Sequence, residues 1–132
     1  MNRKQRHLGR ELALLWLFQI DMGKLPAEQV LATAPAAGEE EGVEGLEEEG
    51  VLFAQQLARG VLAERKTLDA VLLKYARGWT LHRMAGIDRS VLRIALYEIK
   101  YLPDIPASVS IDEAVEIAKK YDRAKADEIV FL

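Results

Sequence analysis

Positively charged side chains are concentrated at the start of the chain. Residues 1–10 contain no acidic residue and carry basic side chains at Arg3, Lys4, Arg6, His7 and Arg10. Residues three and four positions apart are neighbours on a helix, so Arg3, Arg6 and Arg10 are expected on roughly one face. Arginine can bind phosphate through two parallel hydrogen bonds, and several cations displace counterions from a nucleic-acid backbone. The spacing predicts phosphate binding, but a charged helix end that only keeps the protein in solution explains it equally well.

The other polar residues form no recognisable catalytic or metal-binding pattern. His7 and His82 are far apart in the sequence, and neither belongs to a cluster with metal-ligand spacing. The run from Gly42 to Gly45 lies among glutamates, whose charge would repel a phosphate. The chain contains no cysteine, which excludes disulfides and thiolate metal sites. We therefore expect neither enzymatic activity nor a cofactor.

The net charge hides a strong asymmetry along the chain. Residues 38–50 contain seven glutamates and no basic residue: Glu39, Glu40, Glu41, Glu44, Glu47, Glu48 and Glu49. Without these seven, the formal net charge of −3 would become +4, so the acidity comes from one segment. We interpret residues 34–50, rich in Ala, Pro, Gly and Glu, as a solvated connector. The net charge does not argue against nucleic-acid binding by the rest.

Apolar residues recur at helical spacing through most of the chain, with no strand pattern of period two. Ser110 with Glu113 forms a capping box that would begin a helix. No segment is long and apolar enough to span a bilayer, and we expect a cytoplasmic protein. The predicted helices cover residues 3–22, 27–33, 51–65, a fourth ending near Gly78, a short turn at 80–84, 87–100, 110–121, and a last segment from Lys125. The expected fold class is all-α.

Three segments carry a resemblance to a known family. They are Arg10–Gln19 (RELALLWLFQ), Ile87–Glu98 (IDRSVLRIALYE), and Ile105-Pro106 followed by Val109–Tyr121 (VSIDEAVEIAKKY). In this order and at these separations they resemble the NusB family of transcription antitermination factors. The resemblance covers nearly the whole chain apart from the acidic connector.

The resemblance implies a single domain over residues 1–132, made of two small helical bundles packed across each other. The N-terminal bundle would span residues 1–78, including the acidic connector at 34–50, and the C-terminal bundle would span 79–132. The implied function is to bind boxA-type single-stranded RNA together with NusE, a small-subunit ribosomal protein. The two would act within the RNA polymerase antitermination complex. The chain could be a monomer or a homodimer.

The resemblance also implies roles for individual residues. The basic run Arg3, Lys4, Arg6 and Arg10, with His7, would bind RNA phosphates. Phe18 stands where the family often has tyrosine, so it keeps a stacking face and loses a hydroxyl. The implied RNA-binding set is completed by Phe18, Tyr121 and Lys125, and the implied protein-partner surface consists of Phe18, Tyr75 and Asp88.

Two other interpretations remain open from the sequence. A similar helical domain anchors RNA in certain ribosomal RNA cytosine methyltransferases, so the chain could be a fragment of one. Such an enzyme needs a Rossmann-like domain with a glycine-rich turn and a catalytic cysteine, and this sequence contains neither. The third interpretation is a helical scaffold that binds only proteins.

Overall fold

The computed structural model describes residues 2–23, 26–32, 43–75 and 86–130, with the backbone alone for Ala32, Tyr75 and residues 122–130. Within these ranges the chain forms six α-helices and no strand, which confirms the predicted all-α class. The helices are α1 (Arg3–Asp21), α2 (Ala27–Ala32), α3 (Glu48–Ala63), α4 (Arg65–Tyr75), α5 (Gly86–Tyr101) and α6 (Ala107–Val130).

Helix α1 is the central element of the fold, as its broad apolar surface predicts. Its N-terminus is capped by Asn2, whose side-chain oxygen accepts a hydrogen bond from the Gln5 backbone N–H at 2.8 Å. It ends before Gly23, which takes a positive φ of 72° that favours glycine. Leu12, Leu14 and Trp16 are buried, and the helix contacts α2, α3 and α5.

The closest packing is between α1 and α3. A Cβ atom added to Gly9 would lie 2.7 Å from the Gly50 carbonyl oxygen, so α1 needs glycine where it crosses α3. A similar approach occurs between α3 and α5, where a Cβ on Gly60 would meet the Tyr97 ring. One continuous core therefore joins residues from α1, α3 and α4 with residues from α5 and α6. The predicted division at residues 78 and 79 lies outside the described residues and stays a prediction.

Helix α3 begins earlier than expected. It starts at Glu48, so the last residues assigned to the acidic connector are helical and Gly50 is buried. The two glutamates in its first turn, Glu48 and Glu49, are favoured there by the positive end of the helix dipole. Residues 43–47 of the connector are described and include the buried Val43, whereas residues 34–42 and the turn predicted at 80–84 lie outside the described residues.

Helix α6 also departs from the prediction. The capping box at Ser110 and Glu113 is wrong, because the helix begins at Ala107 and the Pro106 carbonyl accepts from the Val109 and Ser110 N–H groups. The side chains of Ser110 and Glu113 instead point to charged groups on α5 and α1. The predicted break before Lys125 is also wrong, since α6 continues to Val130.

Candidate nucleic-acid interface

The first turn of α1 presents an exposed cationic surface. Arg3 and Lys4 are exposed, and Arg6 is partly buried. Among the described residues, none of these three forms an ion pair, and Arg6 Nε is buried without a hydrogen-bond acceptor. Lys4 extends over the turn at Gly45, where an added Cβ would lie 3.5 Å from its Nζ. The described glutamates of the connector therefore leave the charges of this surface unneutralised.

Arg10 does not belong to that exposed surface, which corrects the expectation from the spacing. Its side chain is 2% exposed. Its Nε lies 3.0 Å from both carboxylate oxygens of Glu98, and its Nη2 lies 2.7 Å from Glu98 Oε1. Arg10 shares a helix face with Arg3 but lies seven residues further along, about 10 Å deeper, where α5 and α6 cover that face.

His7 also contacts the protein instead of projecting freely. Its Nδ1 pairs with Glu113 on α6, and its Nε2 lies 3.5 Å from Glu11 one turn along α1. Glu11 is nearly buried and accepts a hydrogen bond from Lys120 Nζ at 2.5 Å. These contacts join α1 to α6 directly below the cationic surface. The His7 side chain is 27% exposed, and its predicted RNA contact stays a prediction.

At the other end of α1, Phe18 lies beside the start of α5. A Cβ added to Gly86 would lie 3.0 Å from the Phe18 ring, so the aromatic side chain packs directly on the α5 backbone. Asp88 follows in the first turn of α5 and is partly buried, as is Phe18. Phe18 and Asp88 therefore lie at the same end of the α1–α5 pair, and their role as a partner surface stays a prediction. The side chain of Tyr75, the third residue expected on that surface, lies outside the described residues.

The remaining RNA-binding candidates lie on α6. Tyr121 is partly buried against the core, with Lys120 Nζ 5.8 Å from its ring centroid. Lys125 lies in the same helix, and its side chain is outside the described residues. Both assignments stay predictions.

Sequence reasoning missed a second charged cluster, centred on Asp21 at the end of α1. Its carboxylate pairs with Arg89, and it lies 3.0 Å from Arg65 Nη2 and 3.6 Å from Arg93 Nη1. Arg93 Nε also donates to Asp69 on α4 at 2.7 Å. Burial acts to raise the pKa of Asp21, but the hydrogen bond and charge of Arg89, with Arg93 and Arg65, outweigh it and hold the pKa below 3.8. The cluster ties α1 to α4 and α5 beside the Phe18–Asp88 surface.

The comparisons with known proteins agree with this architecture. The sequence model of the NusB family matches residues 7–130. The chain belongs to the NusB family. It is 40% identical over 126 residues to a transcription antitermination protein NusB of Geobacillus kaustophilus, covering 96% of this chain and 89% of the relative. It is 41% identical to the NusB of Symbiobacterium thermophilum, covering 95% of this chain and 83% of that one.

A solved structure of T. maritima NusB superimposes with a TM-score of 0.72 and 32% identity, covering 92% of this chain and 80% of that one. These NusB relatives are named as transcription antitermination proteins and not as enzymes, so the chain is a transcription antitermination protein and the non-enzyme prediction is confirmed. In the described residues no helix has the length and apolarity that a membrane crossing requires.

We predict that Asp21→Asn lowers the free energy of unfolding at neutral pH by about 1–3 kcal/mol, since the charge-assisted bonds to three arginines are lost. Because the folded-state pKa of Asp21 lies below its value in the unfolded chain, the stabilisation is present above the unfolded pKa. It disappears as the pH falls through the folded pKa. Urea denaturation of wild type and variant across this range measures the difference, with Asp104→Asn at an exposed position as the control. If the difference in the free energy of unfolding between wild type and Asp21→Asn stays constant into strong acid, the pairing of Asp21 with the arginines is contradicted.

Proposed function

We propose that this NusB-family chain binds boxA-type single-stranded RNA together with the ribosomal protein NusE, in the cytoplasmic antitermination complex of RNA polymerase. The observation that supports the proposal most strongly is the cationic surface of Arg3, Lys4 and Arg6. Arg3 and Lys4 are exposed and Arg6 is partly buried, at one end of a helix whose other half is anchored in the core.

Electrostatics explain why this surface suits RNA. Three cations within one helical turn are free of described acidic partners, so an approaching phosphate need not displace an internal ion pair. Each phosphate that is neutralised on a single strand releases about 0.7 counterion, which gives binding a steep salt dependence. Arginine adds paired hydrogen bonds to phosphate oxygens, which lysine does not.

Bases of a single strand need flat side chains to stack on. Of the two aromatic residues in the implied RNA-binding set, Phe18 and Tyr121, Tyr121 is the better placed. It lies eight residues after Glu113, about 12 Å along α6 from the contact with His7. Lys120 beside it is largely exposed, although its ammonium group pairs with Glu11. An RNA strand could therefore run from the first turn of α1 along α6 towards Tyr121. Phe18 offers a ring but is packed against Gly86.

The partner surface lies at the opposite end of α1. Phe18 is fifteen residues from Arg3, which corresponds to about 22 Å along the helix. NusE bound at Phe18 and Asp88 would leave the first turn of α1 accessible to RNA. With two separate surfaces on one rigid helix, NusE could add its own RNA contacts without competing for the cationic surface of α1.

The RNA-binding proposal predicts a salt-dependent affinity that decreases when one cation of the surface is removed. In a fluorescence anisotropy titration with boxA-like RNA, we expect tighter binding when NusE is present. Arg6→Gln should weaken binding and lower the slope of log K against log salt by about 0.7. Lys66→Gln makes the same charge change on an exposed position of α4 and serves as the control.

Binding that is absent or insensitive to salt would reject the proposal in favour of a scaffold that binds only proteins. Equal titrations for Arg6→Gln and Lys66→Gln would reject the placement of the RNA on α1.

The partner surface gives a separate prediction. Asp88→Lys reverses a charge in the first turn of α5 and should weaken the capture of NusE in a pulldown by about tenfold or more, as expected when like charges face each other across an interface. Circular dichroism should show an unchanged helical content. Asp104→Lys reverses a charge in the exposed α5–α6 link and should capture NusE as wild type does. If the two variants capture NusE equally, Asp88 is not on the partner surface.

A further inference from the structure

Arg10 belongs to the basic run by sequence, but its guanidinium group is enclosed by the protein. Its Nε and Nη2 both donate to Glu98 at 2.7–3.0 Å, and its Cζ lies 5.6 Å from the centre of the Phe53 ring. Arg3 is exposed and Arg6 is partly buried without a described ion pair. The basic run therefore contains arginines in two different physical states.

The acceptor of this ion pair is itself enclosed and held. Glu98 is 1% exposed, and its Oε1 also accepts a hydrogen bond from Ser110 Oγ at 3.1 Å. Glu113 approaches Arg10 Nη1 at 3.8 Å and pairs with His7. Glu98 on α5 and Glu113 on α6 thus face the Arg10 guanidinium, and these two carboxylates are held in turn by Ser110 and His7.

A buried ion pair of this kind is a weak source of net stability, because removing two charges from water costs about as much as their attraction returns. Its geometry is nevertheless strict, since the planar guanidinium fits one arrangement of the carboxylate. The pair fixes the rotation of α1 about its axis at Arg10. Arg6 lies one turn before Arg10, so its direction follows from that rotation.

We propose that Arg10 is a positioning residue, which acts through Glu98 to hold the cationic surface of Arg3, Lys4 and Arg6 towards RNA and does not itself contact RNA. The inference rests on the RNA binding proposed above. Withdrawing Arg10 to reach a phosphate would leave Glu98 as a buried carboxylate without its cationic partner, which is strongly unfavourable.

The test uses Glu98→Gln in the 132-residue chain, because the two possible roles of Arg10 predict opposite results for this variant. It makes the protein less negative and frees the Arg10 charge, so a direct Arg10–RNA contact predicts equal or tighter binding. Positioning predicts weaker binding. If the first turn keeps its binding orientation for only a tenth to a third of the time, the apparent affinity falls by about three- to tenfold.

Ser110→Ala is the milder variant, because it removes one hydrogen bond to Glu98 and no charge. Thermal unfolding identifies a temperature at which each variant is folded, and anisotropy titrations at that temperature give the affinity and its salt slope. We expect both variants to bind RNA more weakly than wild type, with the slope unchanged. Arg6→Gln should lower the slope in the same series.

If Glu98→Gln binds RNA as tightly as wild type or more tightly, the inference is overturned. The proposed function then stays intact, provided that Arg6→Gln still lowers the salt slope. The inference is also overturned if thermal unfolding shows that Glu98→Gln is destabilised while Ser110→Ala is folded and binds RNA as tightly as wild type. Salt-insensitive binding by wild type would overturn the proposed function and this inference together.

Discussion

The ion pair between Arg10 and Glu98 imposes the strictest constraint on how this chain can fold. Both side chains are almost fully buried, and a buried charge is tolerated only when its hydrogen-bonding groups are matched. Ser110 and Glu113 supply part of that match, so α1, α5 and α6 can meet only where these side chains come into register. The pattern of apolar residues brings these helices together, and the ion pair selects one arrangement among those that apolar packing allows.

A second charged cluster acts at the opposite end of the same helix pair. Asp21 closes α1 and pairs with Arg89 and Arg93 near the start of α5. Because Arg10 meets Glu98 near the end of α5, the two helices run antiparallel and are tied at two places. The cationic surface and the Phe18–Asp88 surface are therefore held at a fixed separation on one rigid frame. Such a frame suits an adaptor that is proposed to hold RNA and a protein at the same time.

The sequence predicted the helices well and the direction of charged side chains poorly. Apolar periodicity located α1 and α5 to within two residues, because burial of a helix face determines that pattern. The same helical periodicity put Arg10 on one exposed face with Arg3, because periodicity describes only the angle of a residue around its own helix. It does not describe how far a neighbouring helix extends along that face, and this decides which arginine is covered.

The failure at Ser110 has a related cause. Ser110 and Glu113 satisfy a local capping rule, but both side chains have stronger partners on α5 and α1 that are distant in sequence. Asp21 gave no local signal at all, although Arg89 and Arg93 are four residues apart and so share a helix face that an acidic partner could meet. Charged residues inside the recognisable family segments thus proved to be internal contacts as often as surface groups.

The proposed RNA binding requires Arg10 to stay paired inside the protein while Arg6 is available to RNA. The most direct measurement is the nuclear magnetic resonance spectrum of the arginine Nε–Hε groups, recorded before and after addition of boxA-like RNA. We expect the Arg10 proton to exchange slowly with solvent in the free protein and to keep its chemical shift and its slow exchange when RNA is added, while the Arg6 signal shifts with RNA concentration. An Arg10 proton that exchanges rapidly in the free protein, and moves with RNA as Arg6 does, would contradict this requirement.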